Sequence, residues 1–290
     1  MAQTTKLTDL GFFGSQWEQL YEHFQIFGLK IHVTVAAIIL FSVINVSTHK
    51  FLVSEMGWPD GVETNRAAGF VVGFFHSSSL LPPLFEWAYC IGLRNLDIIG
   101  PWKSVTERNC LSSVMRFSLG YFFYDTLYNL IFMRMFVYRA VMSNAEWIFV
   151  AHHILCVVNF SNALNQPTGQ KYQFYVWCSL LAEATNPLDN IMAFTKKGLE
   201  LSPGPFLESI HYHSEFALSL LYFLFRGIIL PITLPYVTYQ FWKYGGGRGA
   251  ITSVVGCASM WFIVLGGFPW VMHCGKVLRQ RFEGSMDAEL

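Results

Sequence analysis

Apolar residues gather along the chain into seven blocks, near residues 31–53, 67–93, 111–137, 144–164, 172–194, 216–241 and 250–277. At about 1.5 Å of rise per residue, a helix built on such a block is long enough to cross a hydrocarbon core roughly 30 Å thick. Inside the blocks the apolar residues run on instead of alternating with polar ones, so lipid is the solvent they suit. The pattern predicts an all-α, polytopic membrane protein, a bundle of about seven transmembrane helices. Pro82-Pro83 is expected to break or kink the second span, leaving its outer half as a candidate re-entrant segment.

Ahead of the first span, Trp17, Leu20, Tyr21, Phe24 and Phe27 recur at helical spacing, and Ser15 with Glu18 fits the S-x-x-E capping box. Residues 15–28 are therefore expected to form a helix, lying in the membrane interface or packed on the bundle. The opening residues hold Asp9, Glu18 and Glu22 and no early apolar core, so delivery is expected to rely on the first span itself. A second capping box, Ser143 with Glu146, places the start of the fourth span at about Asn144.

Composition sharpens this picture. Hydrophobic residues make up 53% and charged residues 13%, and the 19 basic and 19 acidic side chains cancel. That balance argues against nucleic acid as a partner and against a strongly anionic membrane patch. Basic residues divide evenly between the two sides of a seven-span topology, so the positive-inside rule leaves orientation open, with only Lys276, Arg279 and Arg281 favouring a cytosolic C-terminus. The six cysteines show no C-x-x-C spacing and read as small buried apolar residues. Gly245-Gly246-Gly247 is a linker, lacking the Lys-Ser/Thr of a phosphate-binding loop.

Against this background the ionisable residues inside the spans stand out, since each costs about 2.5–3.5 kcal/mol at a helix centre. His152 lies roughly 12 Å into its span by helix rise, His76 about 13 Å and Glu183 about 16 Å, and Asp125 is central in FSLGYFFYDTLYNLIFM. With His153, four helices each place such a group near one level. Tyr121, Tyr128 and Asn129 share the helical face of Asp125; Ser179, Glu183, Asn186 and Asn190 follow steps of four, three and four; His152 and Asn159 are seven apart. Such stripes are expected to converge on an interior pocket, with the two histidines about 100° apart around their helix.

Alternatives stay open for each residue. A lone His76 or Asp125 fits an interhelical hydrogen bond, worth on average about 0.6 kcal/mol. Arg226 suits either a pocket cation for an anionic headgroup or a helix-end residue tethered by a break at Pro231, while His211, His213 and Glu215 precede the sixth span and read as interfacial. Membrane di-iron enzymes use several H-x-x-H-H boxes, and here only His152-His153 and His211-x-His213 occur, so no metal is expected. No G-x-S-x-G elbow is present. A retinal-type receptor needs a lysine inside the last span, whereas Lys276 lies at its end.

Asn65-Arg66 before the span with His76, SLGYFFYDTLYNL with Asp125, the His152-His153 pair, AEATNPLDNIMAF with Glu183, Asn186, Pro187 and Asn190, and LLYFLFRGIILP with Arg226 form an ordered series. That series resembles the TLC-domain family, which includes ceramide synthases and TRAM-like translocon proteins. The resemblance covers residues 65–276 and is nearest to the smaller TLC domain-containing proteins. Ceramide synthases carry closely spaced aspartates after the paired histidines, whereas here Glu183 stands near that place and Asp189 has no neighbouring Asp. The homeobox-like segment of many animal ceramide synthases is also missing.

The resemblance implies a helical bundle of the endoplasmic reticulum or a related membrane, enclosing a lipid cavity, with membrane lipids as partners. It divides the chain into an N-terminal segment (1–28), a first transmembrane helix and loop (29–64), the TLC domain (65–278) and a C-terminal tail (279–290). If the chemistry is that of ceramide synthases, acyl-CoA is a co-substrate and no cofactor is tightly bound. His152 and His153 then form the reacting centre, with Asp125 or Glu183 holding an imidazole. His76, Tyr121, Tyr128, Asn186, Asn190 and Arg226 are the expected substrate-binding residues. The rival expectation is a non-catalytic protein that binds, senses or moves lipid and so regulates membrane composition.

Overall fold

The structure, a computed structural model, describes residues 12–20, 23–26, 29–87, 89, 105–164, 183–244 and 250–288. A short helix α1 (Phe12–Gln19) is followed by a two-stranded antiparallel hairpin, β1 (His23–Ile26) and β2 (Leu29–His32). The helices α2 (Val33–Ser54), α3 (Val62–Trp87), α4 (Val105–Phe123), α5 (Asn144–Leu164), α6 (Asn186–Leu201), α7 (Pro205–Tyr222), α8 (Leu230–Tyr244) and α9 (Ala250–Ala288) come next. Two π-helical segments carry α4 on from Tyr124 to Val137 and join α7 to α8 from Phe223 to Ile229. Among the described residues, four helical stretches are long and apolar enough to cross a membrane: Val33–Ser54, Val62–Trp87, Pro205–Tyr236 and Cys257–Glu283. Glu146–Ser161 is a shorter apolar helix.

The structure departs from four expectations. The helix expected over 15–28 ends at Gln19, with Ser15 inside it and not at its cap. From His23 to Ile26 and from Leu29 to His32 polar and apolar residues alternate, the period of a strand, and the register sets Phe24 opposite Ile31 and Ile26 opposite Leu29. Helix α1 packs on α4, where Trp17 meets Phe117 edge-on at 5.3 Å.

Pro82 and Pro83 do not break the second span, since α3 runs through both to Trp87; the end of the candidate re-entrant segment, residue 88 and residues 90–93, lies outside the described residues. Buried packing against Leu111 and Met115 of α4 holds this end, and tertiary contacts of that kind offset a proline's lost hydrogen bond. Likewise Pro231 does not break the sixth span. The i→i+5 bonding just ahead of it, with Leu230 N–H reaching Phe225 O, widens the turn that the proline ring would otherwise crowd.

The fifth span also differs from its expected course. Its first part, residues 172–182 with Ser179, lies outside the described residues, and the rest does not run on unbroken to residue 194: a turn at Ala184 and Thr185 separates Glu183 from α6. Pro187, whose fixed φ suits a first turn and whose missing N–H costs nothing there, starts the new helix.

The main apolar core joins Leu80, Leu84 and Trp87 of α3 to Leu111 and Met115 of α4, Phe160 of α5, Leu234 of α8 and Met260 of α9. Large apolar side chains such as Val35, Ile39 and Val43 of α2 and Phe262, Leu265 and Phe268 of α9 face outward. Polar groups inside and apolar groups outside is the order a lipid solvent imposes.

Candidate functional site

The capping box at Ser143 forms as its spacing requires. Ser143 N and Oγ donate to Glu146 Oε2 at 2.7 and 2.8 Å, and Glu146 N donates back to Ser143 Oγ at 3.3 Å. The other carboxylate oxygen accepts Arg134 at 3.0 Å and lies 3.8 Å from Arg66, which ties the start of α5 to α3 and to the first π segment. With its entry fixed in this way, α5 presents its paired histidines at a defined height.

His153, 4% exposed, turns toward the first π segment. Its Nδ1 lies 3.3 Å from Asp125 Oδ2 and 3.3 Å from Thr126 Oγ1. Asp125 Oδ1 accepts from Asn129 Nδ2 at 2.8 Å, and Asn129 Oδ1 accepts from Asn65 Nδ2 at 3.0 Å. A string of four polar side chains from three elements thus leads from the α3 terminus to an imidazole inside the bundle. Asn129 fits because Gly69 of α3 gives way to it: a Cβ there would lie 2.8 Å from Asn129 Nδ2.

His76, 1% exposed, joins the same neighbourhood. Its Nε2 shares a hydrogen bond with Ser118 Oγ at 3.2 Å, and its ring stacks on Tyr121 with centroids 4.0 Å apart and planes within 7°. The Tyr121 ring is 6.0 Å from that of His153, so it bridges the two histidines. Tyr128 sits elsewhere. It packs on Tyr124 and Phe132 beside the small cluster of Ala37, Phe41 and Val72, because i→i+5 turns displace the face that a regular helix would share with Asp125.

His152 lies on a different side of α5, as the spacing of neighbouring residues requires. Its ring centroid is 5.6 Å from that of His153, and its Nε2 contacts Cys156 Sγ at 3.7 Å.

A second network forms around Glu183, which is 8% exposed. Glu183 Oε2 accepts from Asn186 Nδ2 at 3.0 Å, and Asn186 Oδ1 accepts from Arg226 at 2.9 Å. Arg226 also lies over the Tyr222 ring, 4.7 Å from its centroid. Asn190 donates to the Asn186 carbonyl at 2.8 Å and occupies the gap left by Gly73, where a Cβ would overlap its Oδ1. Of the two carboxylates proposed to hold an imidazole, Asp125 meets one and Glu183 is engaged by an amide.

Between the networks, Ser118, Glu183, Leu80, Leu84, Val114, Met115 and Phe160 line a small cavity, near the lower limit of what one water needs. Among the described residues, no three His, Cys, Asp or Glu side chains converge as a metal cage. His211 and Glu215 lie within α7, bonding Thr195 at 3.1 Å and Arg281 at 3.0 Å. Thr126 and Ser118 carry no signal in the sequence and Cys156 reads there only as a small buried apolar residue; hydroxyls and thiols are common in membrane helices, and only their contacts single them out.

The family model for the TLC domain matches residues 68–274, most of the chain, including both networks except for Asn65. The chain belongs to the TLC-domain family. No curated protein and no solved structure matches it. An integral membrane protein with a TLC domain is a membrane-lipid-related protein.

Proposed function

We propose that this TLC-domain protein is an acyl-CoA-dependent lipid acyltransferase of the endoplasmic reticulum membrane, with His153 as its base. The observation that carries the reading is the Asn65–Asn129–Asp125–His153 string. A carboxylate accepting from Nδ1–H fixes the tautomer, leaves Nε2 as the basic nitrogen and stabilises the imidazolium. In the transfer step Nε2 takes the proton of the acceptor's amine or hydroxyl as that atom attacks the thioester carbonyl. The tetrahedral intermediate then expels the sulfur, the C–S bond breaks, and the imidazolium returns the proton so that CoA leaves as its thiol. His76 and Tyr121 pack the wall beside the reacting atoms.

One observation favours the rival reading, a non-catalytic lipid-binding, sensing or trafficking protein: Glu183, standing where ceramide synthases have their paired aspartates, bonds Asn186 and, among the described residues, no histidine. The two readings separate in a single experiment. The full-length protein in mild detergent is given labelled acyl-CoA with a panel of amine and alcohol lipids, and bound lipid is followed by mass spectrometry. Acyl transfer by the parent that is lost in His153→Ala, with lipid retained, supports the enzyme; a reproducible bound lipid with no transfer supports the rival.

A further inference from the structure

Asn159 is completely buried, and neither its side-chain oxygen nor its nitrogen has a hydrogen-bond partner among the described residues. Burying an amide with both donor and acceptor unmet opposes folding, and more so where lipid replaces water around the protein. The other asparagine of this kind, Asn45 of α2, lies within reach of the Tyr124 hydroxyl, which is likewise without another partner. For Asn159 no such neighbour is found among the described residues. It follows His152 and Cys156 at steps of four and three along α5, hence on their face and not on the face that His153 shows to Asp125. By helix rise it is about 10 Å from the paired histidines, too far to touch a group reacting there.

We propose that Asn159 is the anchor of a separate lipid subsite, and that it takes an uncharged polar group presenting a donor and an acceptor side by side, as a carboxamide does. A carboxamide pairs with such a group through two parallel hydrogen bonds, whereas an ester offers acceptors alone and leaves the Asn159 oxygen unmet. The inference rests on the reading of this interior as a lipid site and not on transfer chemistry.

The test uses full-length protein, stripped of lipid in detergent, with oleamide and methyl oleate as probes of matched chain and different polar end. The parent is expected to bind oleamide about tenfold more tightly than methyl oleate, the return on one extra satisfied hydrogen bond. In Asn159→Leu, close to Asn in size, that preference should vanish, while the lipid-free variant melts at or above the parent's temperature because an unmet amide has been removed. Equal binding of the two probes by the parent, or an undiminished oleamide preference in Asn159→Leu, overturns the proposal. A variant that melts well below the parent, or does not accumulate folded, assigns the amide to an internal bridge and overturns it as well. A parent that discriminates the probes yet transfers no acyl group sinks the acyltransferase reading alone.

Discussion

The two polar networks inside the bundle differ in what lies at their ends. The one on the first π segment ends on an imidazole: Asn65 and Asn129 hold Asp125, and Asp125 faces His153. The one around Glu183 ends on a guanidinium, with Asn186 between the carboxylate and Arg226. A carboxylate against an imidazole at one oxygen and an amide at the other is arranged to manage a proton, whereas a carboxylate and an arginine joined through an amide are arranged to satisfy each other. Both networks use a π-helical segment, where i→i+5 turns re-aim side chains and where functional residues often gather. Similar depth and similar residue types therefore conceal different work.

The largest effect that can break this contrast is at the histidines. His153→Ala is expected to lower acyl transfer by at least about a hundredfold, the usual scale for a general base. His152→Ala, which loses a thiol contact and a ring contact with His153 but no contact with a carboxylate among the described residues, should cost less than tenfold. Rates measured with labelled acyl-CoA decide it, and equal losses in both variants would dissolve the distinction between the two rings. Next comes Asp125→Asn, which keeps one acceptor but removes the charge facing Nδ1. Transfer should fall by about a hundredfold while the lipid found by mass spectrometry stays bound. Loss of both together would make Asp125 a packing residue.

A finer division comes from two glycines one turn apart on α3. Gly69→Ala pushes on Asn129 and Gly73→Ala on Asn190, so each should cost stability to a similar degree, about 1–3 kcal/mol, as overpacking does. Only Gly69→Ala is expected to slow transfer, by about tenfold, because only Asn129 steadies Asp125. Melting temperature and rate measured on the same preparations check this, and a slowing shared by both variants would show that the effect is general loosening of α3.

How far the sequence discloses this arrangement depends on the period each element obeys. The 3.6-residue repeat and the run of apolar residues reveal α2, α3 and α5, and the Ser143–Glu146 spacing gives the start of α5 to the residue. It also puts Asn129 one turn beyond Asp125, where the two side chains bond. Elsewhere the same repeat misleads. Aromatic residues at Trp17 and Phe24 match it by chance across a helix and a strand, Tyr128 packs on Tyr124 and Phe132 where the backbone goes π-helical, and a turn interrupts the helix between Glu183 and Asn186 although their side chains still bond. No periodicity announces a π segment or names the partner of a carboxylate on another helix. That Asp125 and not Glu183 meets an imidazole is a fact of packing alone.

Glu183→Gln carries the smallest expected effect and tests the contrast from its quiet side. Glutamine keeps an oxygen to accept from Asn186 Nδ2 and fills nearly the same volume, so what it removes is the negative charge. Arg226 keeps its bond to Asn186 and its place over the Tyr222 ring, and an amide bridge between membrane helices is worth below about 1 kcal/mol, so stability should hardly move. Because no bond joins Glu183 to either histidine among the described residues, transfer should stay within a few-fold of the parent and bound lipid should be retained. The same preparations serve for both measurements, with Asp125→Asn alongside as the positive control. A hundredfold loss of transfer with lipid still bound would mean that the Glu183 charge reaches the reacting atoms, and the two networks would then have to be treated as one catalytic site. Loss of lipid with the protein still folded would instead make the Glu183–Asn186–Arg226 network the holder of the lipid's polar end.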